Sequence, residues 1–128
     1  MNKDWYNNLS KEILDACFVG HKTLGPGLLE SVYELCLMYE FGLRNLSARN
    51  QVELPLIYKG KVLSKEFRID ILVENEIIME LKSVEVILPV HEAQIISYLK
   101  LADKRLGFLV NFNVPVIKNG FKRYVNKF

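Results

Sequence analysis

Between Ser10 and Thr23 the residues Ile13, Leu14, Cys17, Phe18 and His21 recur at three- and four-residue spacing, as along one face of a helix. The pattern predicts a first helix there, capped by Asn8 or Ser10 and carrying Glu12 in its first turn. LGPG at Leu24 to Gly27 interrupts it, and Pro26 suits the first position of a second helix, where a backbone N–H is not needed. That helix runs through LLESVYELCLMYEFGL to about Gly42, with Tyr33, Leu37 and Phe41 as a buried stripe. From Gln51 the period shortens to that of strands. VELPLIYKGKVL holds a turn at Tyr58 to Gly60 between extended segments, and KEFRIDILV and EIIMELKSV follow as paired strands. Past Pro89, VHEAQIISYLKLA returns to helix, with Ala93, Ile96, Tyr98, Leu99 and Leu101 largely apolar. KRLGFLVNF, dominated by Gly107 to Phe112, has the unbroken apolar character of a central strand. Asn119-Gly120 then signals a hairpin between the two halves of NVPVIKNGFKRYVNKF. Helix, helix, strands, helix, strand and final hairpin together specify a mixed sheet with helices packed on its faces.

Composition narrows the setting. A chain of 128 residues is read as one domain, 1–128, able to bury a core without disulfide or metal staples. Half of it is hydrophobic, a quarter is charged, and the formal net charge is +2, so neither disorder nor a strongly basic binder is indicated. Cys17 and Cys36 both fall inside apolar helical patterns and are expected to be small core residues in a reducing compartment. No apolar run approaches the roughly 18 residues that cross a bilayer. The start MNKDWYNNLSKE lacks a signal-peptide core, so a cytoplasmic location is expected.

The charges inside the apolar run RIDILVENEIIMELK carry the candidate chemistry. Alternation along a strand puts Arg68 and Asp70 on one face, with Phe67, Ile69 and Ile71 on the other. On the next strand Glu80 and Lys82 share a face, opposed by Met79, Leu81 and Ser83. A turn centred on Asn75 opposes residues whose numbers sum to 150, so Asp70 lies across from Glu80. Their β-carbons are then about 4.5–5.5 Å apart, a repulsive arrangement for two carboxylates on a half-buried face. Two remedies are open. Diagonal salt bridges would join Arg68 to Glu80 and Asp70 to Lys82. Alternatively a divalent cation such as Mg2+ takes both carboxylates and leaves positions for water and a phosphate, with Lys82 beside it to neutralise charge.

Asp70, nine intervening residues, then Glu80-Leu81-Lys82 resembles the D…(D/E)-x-K signature of the PD-(D/E)XK nuclease-like superfamily. Gly27-Leu28-Leu29-Glu30-Ser31-Val32-Tyr33 is similar to the motif that names its GxxExxY family. The likeness extends over nearly the whole chain, through the Tyr58-Lys59-Gly60 turn, HEAQIISYLK, LGFLVNF and the closing NGFKRYVN. It departs from the signature in one respect, since Phe67-Arg68-Ile69 precedes Asp70 without a proline. The resemblance implies a three-layer α-β-α core like that of restriction endonucleases and an Mg2+- or Mn2+-dependent nuclease acting on DNA or RNA. It makes Asp70 and Glu80 the metal-binding carboxylates, with the backbone carbonyl of Leu81 as a further ligand and Lys82 as the catalytic lysine. Glu30 becomes an additional acid from the second helix, and Gln94 and Tyr98, one turn apart, border the site.

Tyr33, one turn from Glu30, is a candidate for the core or for a hydrogen bond to Glu30, and His21 for a structural or a cleft-lining role. His91 has no second histidine or cysteine at zinc-ligand spacing. Lys59, Lys61 and Lys65, then Lys100, Lys104 and Arg105, then Lys118, Lys122, Arg123 and Lys127, are candidate nucleic-acid contacts or solvated faces. A nuclease-like fold kept as a nucleic-acid or protein binding module is the rival reading. A homodimer built on an exposed strand or the final hairpin is compatible with either.

Overall fold

The computed structural model describes residues 1–128. Helix α1 spans Lys3–Leu24 and begins about two turns before Ser10, where the apolar period first suggested it. Asn2 is its cap, accepting the Trp5 N–H at 2.9 Å, while Asn8 and Ser10 lie inside the helix. The early start has a cause: Tyr6 and Leu9 extend the stripe of Ile13, Ala16, Cys17 and His21, so the first turns also have something to bury. Phe18, assigned to that stripe from spacing, is instead about half exposed at 51 %.

Helix α2 spans Glu30–Leu43, four residues later than Pro26 suggested. Gly25 and Gly27 take left-handed backbones, with φ of 73° and 92°, which no helix start accommodates. Residues 25–29 therefore form a loop, and Tyr33 secures it by donating to the Gly25 carbonyl at 2.5 Å and accepting from Leu28 N–H at 3.2 Å. The stripe itself is as read: Tyr33, Leu37 and Phe41 are each buried. Arg44, just past α2, reaches Asp15 at 2.7 Å and Glu12 at 3.3 Å and pins the two helices together.

Strands follow at Ala48–Glu53 (β1), Leu56–Tyr58 (β2), Lys61–Ser64 (β3), Arg68–Val73 (β4) and Ile77–Lys82 (β5). Helix α3 covers Pro89–Ala102, β6 Leu106–Asn111 and β7 Phe121–Val125. Five strands form one mixed sheet in the order β1-β4-β5-β6-β7, parallel only where β5 meets β6 across the α3 crossover. β2 and β3 make a separate hairpin whose turn, Lys59 and Gly60, is left-handed as expected of a two-residue loop. The Asn119-Gly120 hairpin does not form. Ile117–Gly120 is a 3₁₀ turn, and β7 pairs with β6 instead. Ile117 is buried, and a β-carbon on Gly120 would lie 2.1 Å from the Asn111 carbonyl, so the turn is packed down on the end of β6.

The alternation of strand residues divides the core into two layers. Ile77, Met79 and Leu81 with Leu106, Phe108 and Val110 meet α1 and α2 in a cluster of 18 buried residues. Ile78, Leu72 and Leu109 meet Ile95, Tyr98 and Leu99 of α3 in a cluster of 8. The α3 stripe is thus 95, 98 and 99; Ile96 and Leu101, expected with it, are 39 % and 38 % exposed. The result is an α-β-α arrangement of the restriction-endonuclease-like kind.

Candidate active site

The β4–β5 hairpin keeps the register read from its turn: Ile71 faces Met79, Leu72 faces Ile78 and Val73 faces Ile77. Glu74 and Asn75 take left-handed backbones in the turn itself. Beyond Ile71 the ladder opens, and the two carboxylates close the gap in its place. Asp70 donates its backbone N–H to Glu80 Oε2 at 2.9 Å, and Leu81 donates its N–H to Asp70 Oδ2 at 2.8 Å. Each acid therefore satisfies a main-chain donor on the opposite strand.

The diagonal salt bridges are absent. The four ion pairs of the molecule involve Arg44 or Lys122, and none includes Asp70, Glu80, Arg68 or Lys82. Arg68 spends its guanidinium on the Lys65 and Phe67 carbonyls at 2.5 and 3.0 Å. Alternation also fails at this point. Ile69 packs on the α3 side and Ile71 on the α1–α2 side, so they do not share a face.

An acid pair without a basic partner has a strong electrostatic signature. Glu80 is 4 % exposed, and burial, then the nearby Asp70 charge, push its carboxyl up to about 8. The Asp70 N–H and Lys82 pull it back only in part. Asp70 is also raised, first by burial; the Leu81 N–H opposes this, and Glu34 and Glu30 add to it. Tyr98 is raised by burial, and Glu80 and Asp70 contribute, which puts its hydroxyl within their field. Gln94 donates to that hydroxyl at 3.1 Å, joining the two residues expected to border the site.

Glu30, the first residue of α2, is exposed and accepts the Ser83 N–H at 3.4 Å, while Ser83 Oγ donates to the Leu28 carbonyl at 2.6 Å. These contacts fasten the end of β5 to the loop before α2, beside a cleft of about 300 Å³ lined by Leu28 to Ser31 and Ser83. A larger apolar groove of about 420 Å³, between Leu14, Phe18 and Ile117, is lined by none of these residues. Tyr33 does not reach Glu30, because its hydroxyl is taken by the Gly25–Leu28 loop. Its ring stacks on Phe112 at 4.3 Å, and Phe112 N–H donates to the Lys82 carbonyl at 2.9 Å. His21 Nε2 pairs with the Val114 carbonyl at 2.7 Å, a tie between α1 and the segment after β6.

Three residues here escaped the sequence reading. Asn111, buried at the end of β6, bonds Val84 N–H at 3.1 Å and the Val84 carbonyl at 2.9 Å and so shapes the chain just past Lys82. Glu34 lies one turn beyond Glu30 on α2 and weighs on Asp70 more than Lys82 does. Gln51 holds Glu34. Only Glu34 had a legible signal, its four-residue spacing from Glu30.

The donors suit a hard divalent cation. Their ligand atoms are all oxygen and no basic side chain is in ion-pair contact with Asp70 or Glu80, though no three His, Cys, Asp or Glu groups gather closely enough to hold a metal ion by themselves. A sequence model of the PD-(D/E)XK nuclease superfamily matches residues 7–124 of the chain. No curated protein and no solved structure matches it.

Proposed function

Because the chain belongs to the PD-(D/E)XK nuclease superfamily, we propose that it is a divalent-metal-dependent phosphodiesterase cutting DNA or RNA, with residues 1–128 acting as one nuclease-like domain. The Gly27–Tyr33 motif supports placing it in the GxxExxY family: its glycine makes the left-handed loop and its tyrosine fastens that loop ahead of Glu30. The observation that carries the reading is the pair of half-buried Asp70 and buried Glu80, interlocked across β4 and β5 with no basic residue in ion-pair contact.

In this reading Asp70, Glu80 and the Leu81 carbonyl hold Mg2+ or Mn2+, with Glu30 at the margin. Bound there, the cation would supply a Lewis acid for the scissile phosphate and positive charge that favours the ionised form of both acids. Lys82, which already stabilises the ionised form of both acids, stands ready to meet charge that develops on the phosphate. Gln94 and Tyr98 offer polar contacts beside the acids. The lysines of the β2–β3 hairpin are exposed on an element whose root, the Glu53–Arg68 pair, is two residues from Asp70, a placement suited to backbone phosphates.

Purified protein with Mg2+ or Mn2+ is expected to cut at least one of single- or double-stranded DNA or RNA. Asp70→Ala and Lys82→Ala should each lower the rate at least about 100-fold while the melting curve shows a folded protein. No cleavage of any of these substrates, or equal cleavage by Asp70→Ala, sinks the enzyme. Metal-independent binding that survives Glu80→Gln would favour a binding module instead.

A further inference from the structure

Gln51 is the only residue in the five-stranded sheet's strands with a left-handed backbone, φ 50°. An L-residue there costs about 1–2 kcal/mol, a cost glycine avoids. The side chain is exposed, so packing does not account for it. Its position does. In the β1–β4 ladder Asn50 pairs with Ile71 and Val52 with Ile69, while Gln51 and Asp70 between them are unpaired. At the same point both strands exchange faces: Ala48 packs on the α1–α2 side and Val52 on the α3 side, as Val73 and Ile69 do opposite them. Asp70 thus lies in an opening of the sheet on both its edges, toward β1 through Gln51 and toward β5 through the carboxylate bonds. Gln51 Nε2 donates to Glu34 Oε1 at 2.7 Å and Asn50 Nδ2 to Glu34 Oε2 at 3.1 Å, so both oxygens of that carboxylate are held.

We propose that Gln51 is a positioning residue of the acid site: its left-handed turn opens the sheet at Asp70, and its amide, with that of Asn50, fixes Glu34 as a stationary negative charge beside it. The proposal rests on the metal-dependent reading above. A held charge one turn along α2 from Glu30 strengthens cation binding at the Asp70–Glu80 pair without occupying it, much as outer partners tune other metal sites.

Three variants test it, Gln51→Gly, Gln51→Asn and Glu34→Gln, by melting temperature, calorimetric Mn2+ titration, and kcat and KM for cleavage. Gln51→Gly relieves the strained backbone and should melt at or above the wild-type temperature, yet bind Mn2+ about 10-fold more weakly. Its kcat should fall by a similar factor with KM within about twofold, since nucleic-acid contacts are untouched. Gln51→Asn, which tolerates the left-handed region and keeps an amide, should recover part of both losses. Glu34→Gln, which removes the charge alone, should match Gln51→Gly. The proposal is overturned if Gln51→Gly keeps wild-type Mn2+ affinity, or if Gln51→Asn is as impaired as Gln51→Gly. A wild type that binds Mn2+ but cuts nothing removes the nuclease reading while the affinities still judge Gln51. A wild type that binds no Mn2+ overturns both.

Discussion

Glu80 carries a carboxyl that burial and Asp70 hold near 8, well above its ordinary value near 4.5. Its proton is therefore bound more tightly in the folded chain than in the unfolded one. Stability from this group is full below about pH 4.5 and is lost as pH rises to about 8. Without divalent cation, the loss approaches about 1.4 kcal/mol per pH unit inside that window. Urea denaturation at a series of pH values should show this decline, and Glu80→Gln should flatten it. An equal slope in wild type and variant would show that Glu80 titrates as an ordinary surface acid. Alternation and turn arithmetic were enough to place Asp70 and Glu80 opposite each other. They did not show that each carboxylate bonds a main-chain N–H on the other's strand, because that depends on the ladder opening at Asp70. Tyr33 illustrates the same limit, for spacing identified its stripe while the loop folded over it decided where its hydroxyl went.

Among the elements, α3 presses on the sheet where β6 has no side chain. A β-carbon at Gly107 would lie 3.1 Å from Ile95 Cδ1, 3.2 Å from the Ile78 carbonyl and 3.3 Å from Leu99 Cδ2. Gly107→Ala should therefore cost about 1–3 kcal/mol through forced displacement of α3, read as a lower denaturant midpoint with unchanged slope. An unchanged midpoint would mean that the helix rides higher than described. Elements defined by a long apolar period, such as the α2 stripe and the β4–β5 pair, were legible from sequence. Their ends were less so. Pro26 and Asn119-Gly120 are strong local signals, but the first was overruled by the left-handed glycines around it and the second by packing of Ile117 and Gly120 against β6.

At the scale of the whole molecule, α1 and α2 cover one face of the sheet and α3 the other, and the larger cluster lies under the helix pair. Leu37 is fully buried in that cluster. Leu37→Ala should cost about 2–5 kcal/mol, measurable by thermal or chemical unfolding, and a loss below about 1 kcal/mol would contradict the described docking of α2. The amino-acid pattern by itself determined the mixed α/β class, the order of most elements, the hairpin register and the acids that face each other across it. Those are consequences of periodicity and of one short turn, which act over few residues. Only the tertiary structure decided that no arginine or lysine forms an ion pair with either acid, that Asn50 and Gln51 hold Glu34, and that Gln51 breaks the strand beside Asp70. Each of these depends on segments tens of residues apart meeting at one opening in the sheet, where the local rule of alternation gives way to packing from both faces.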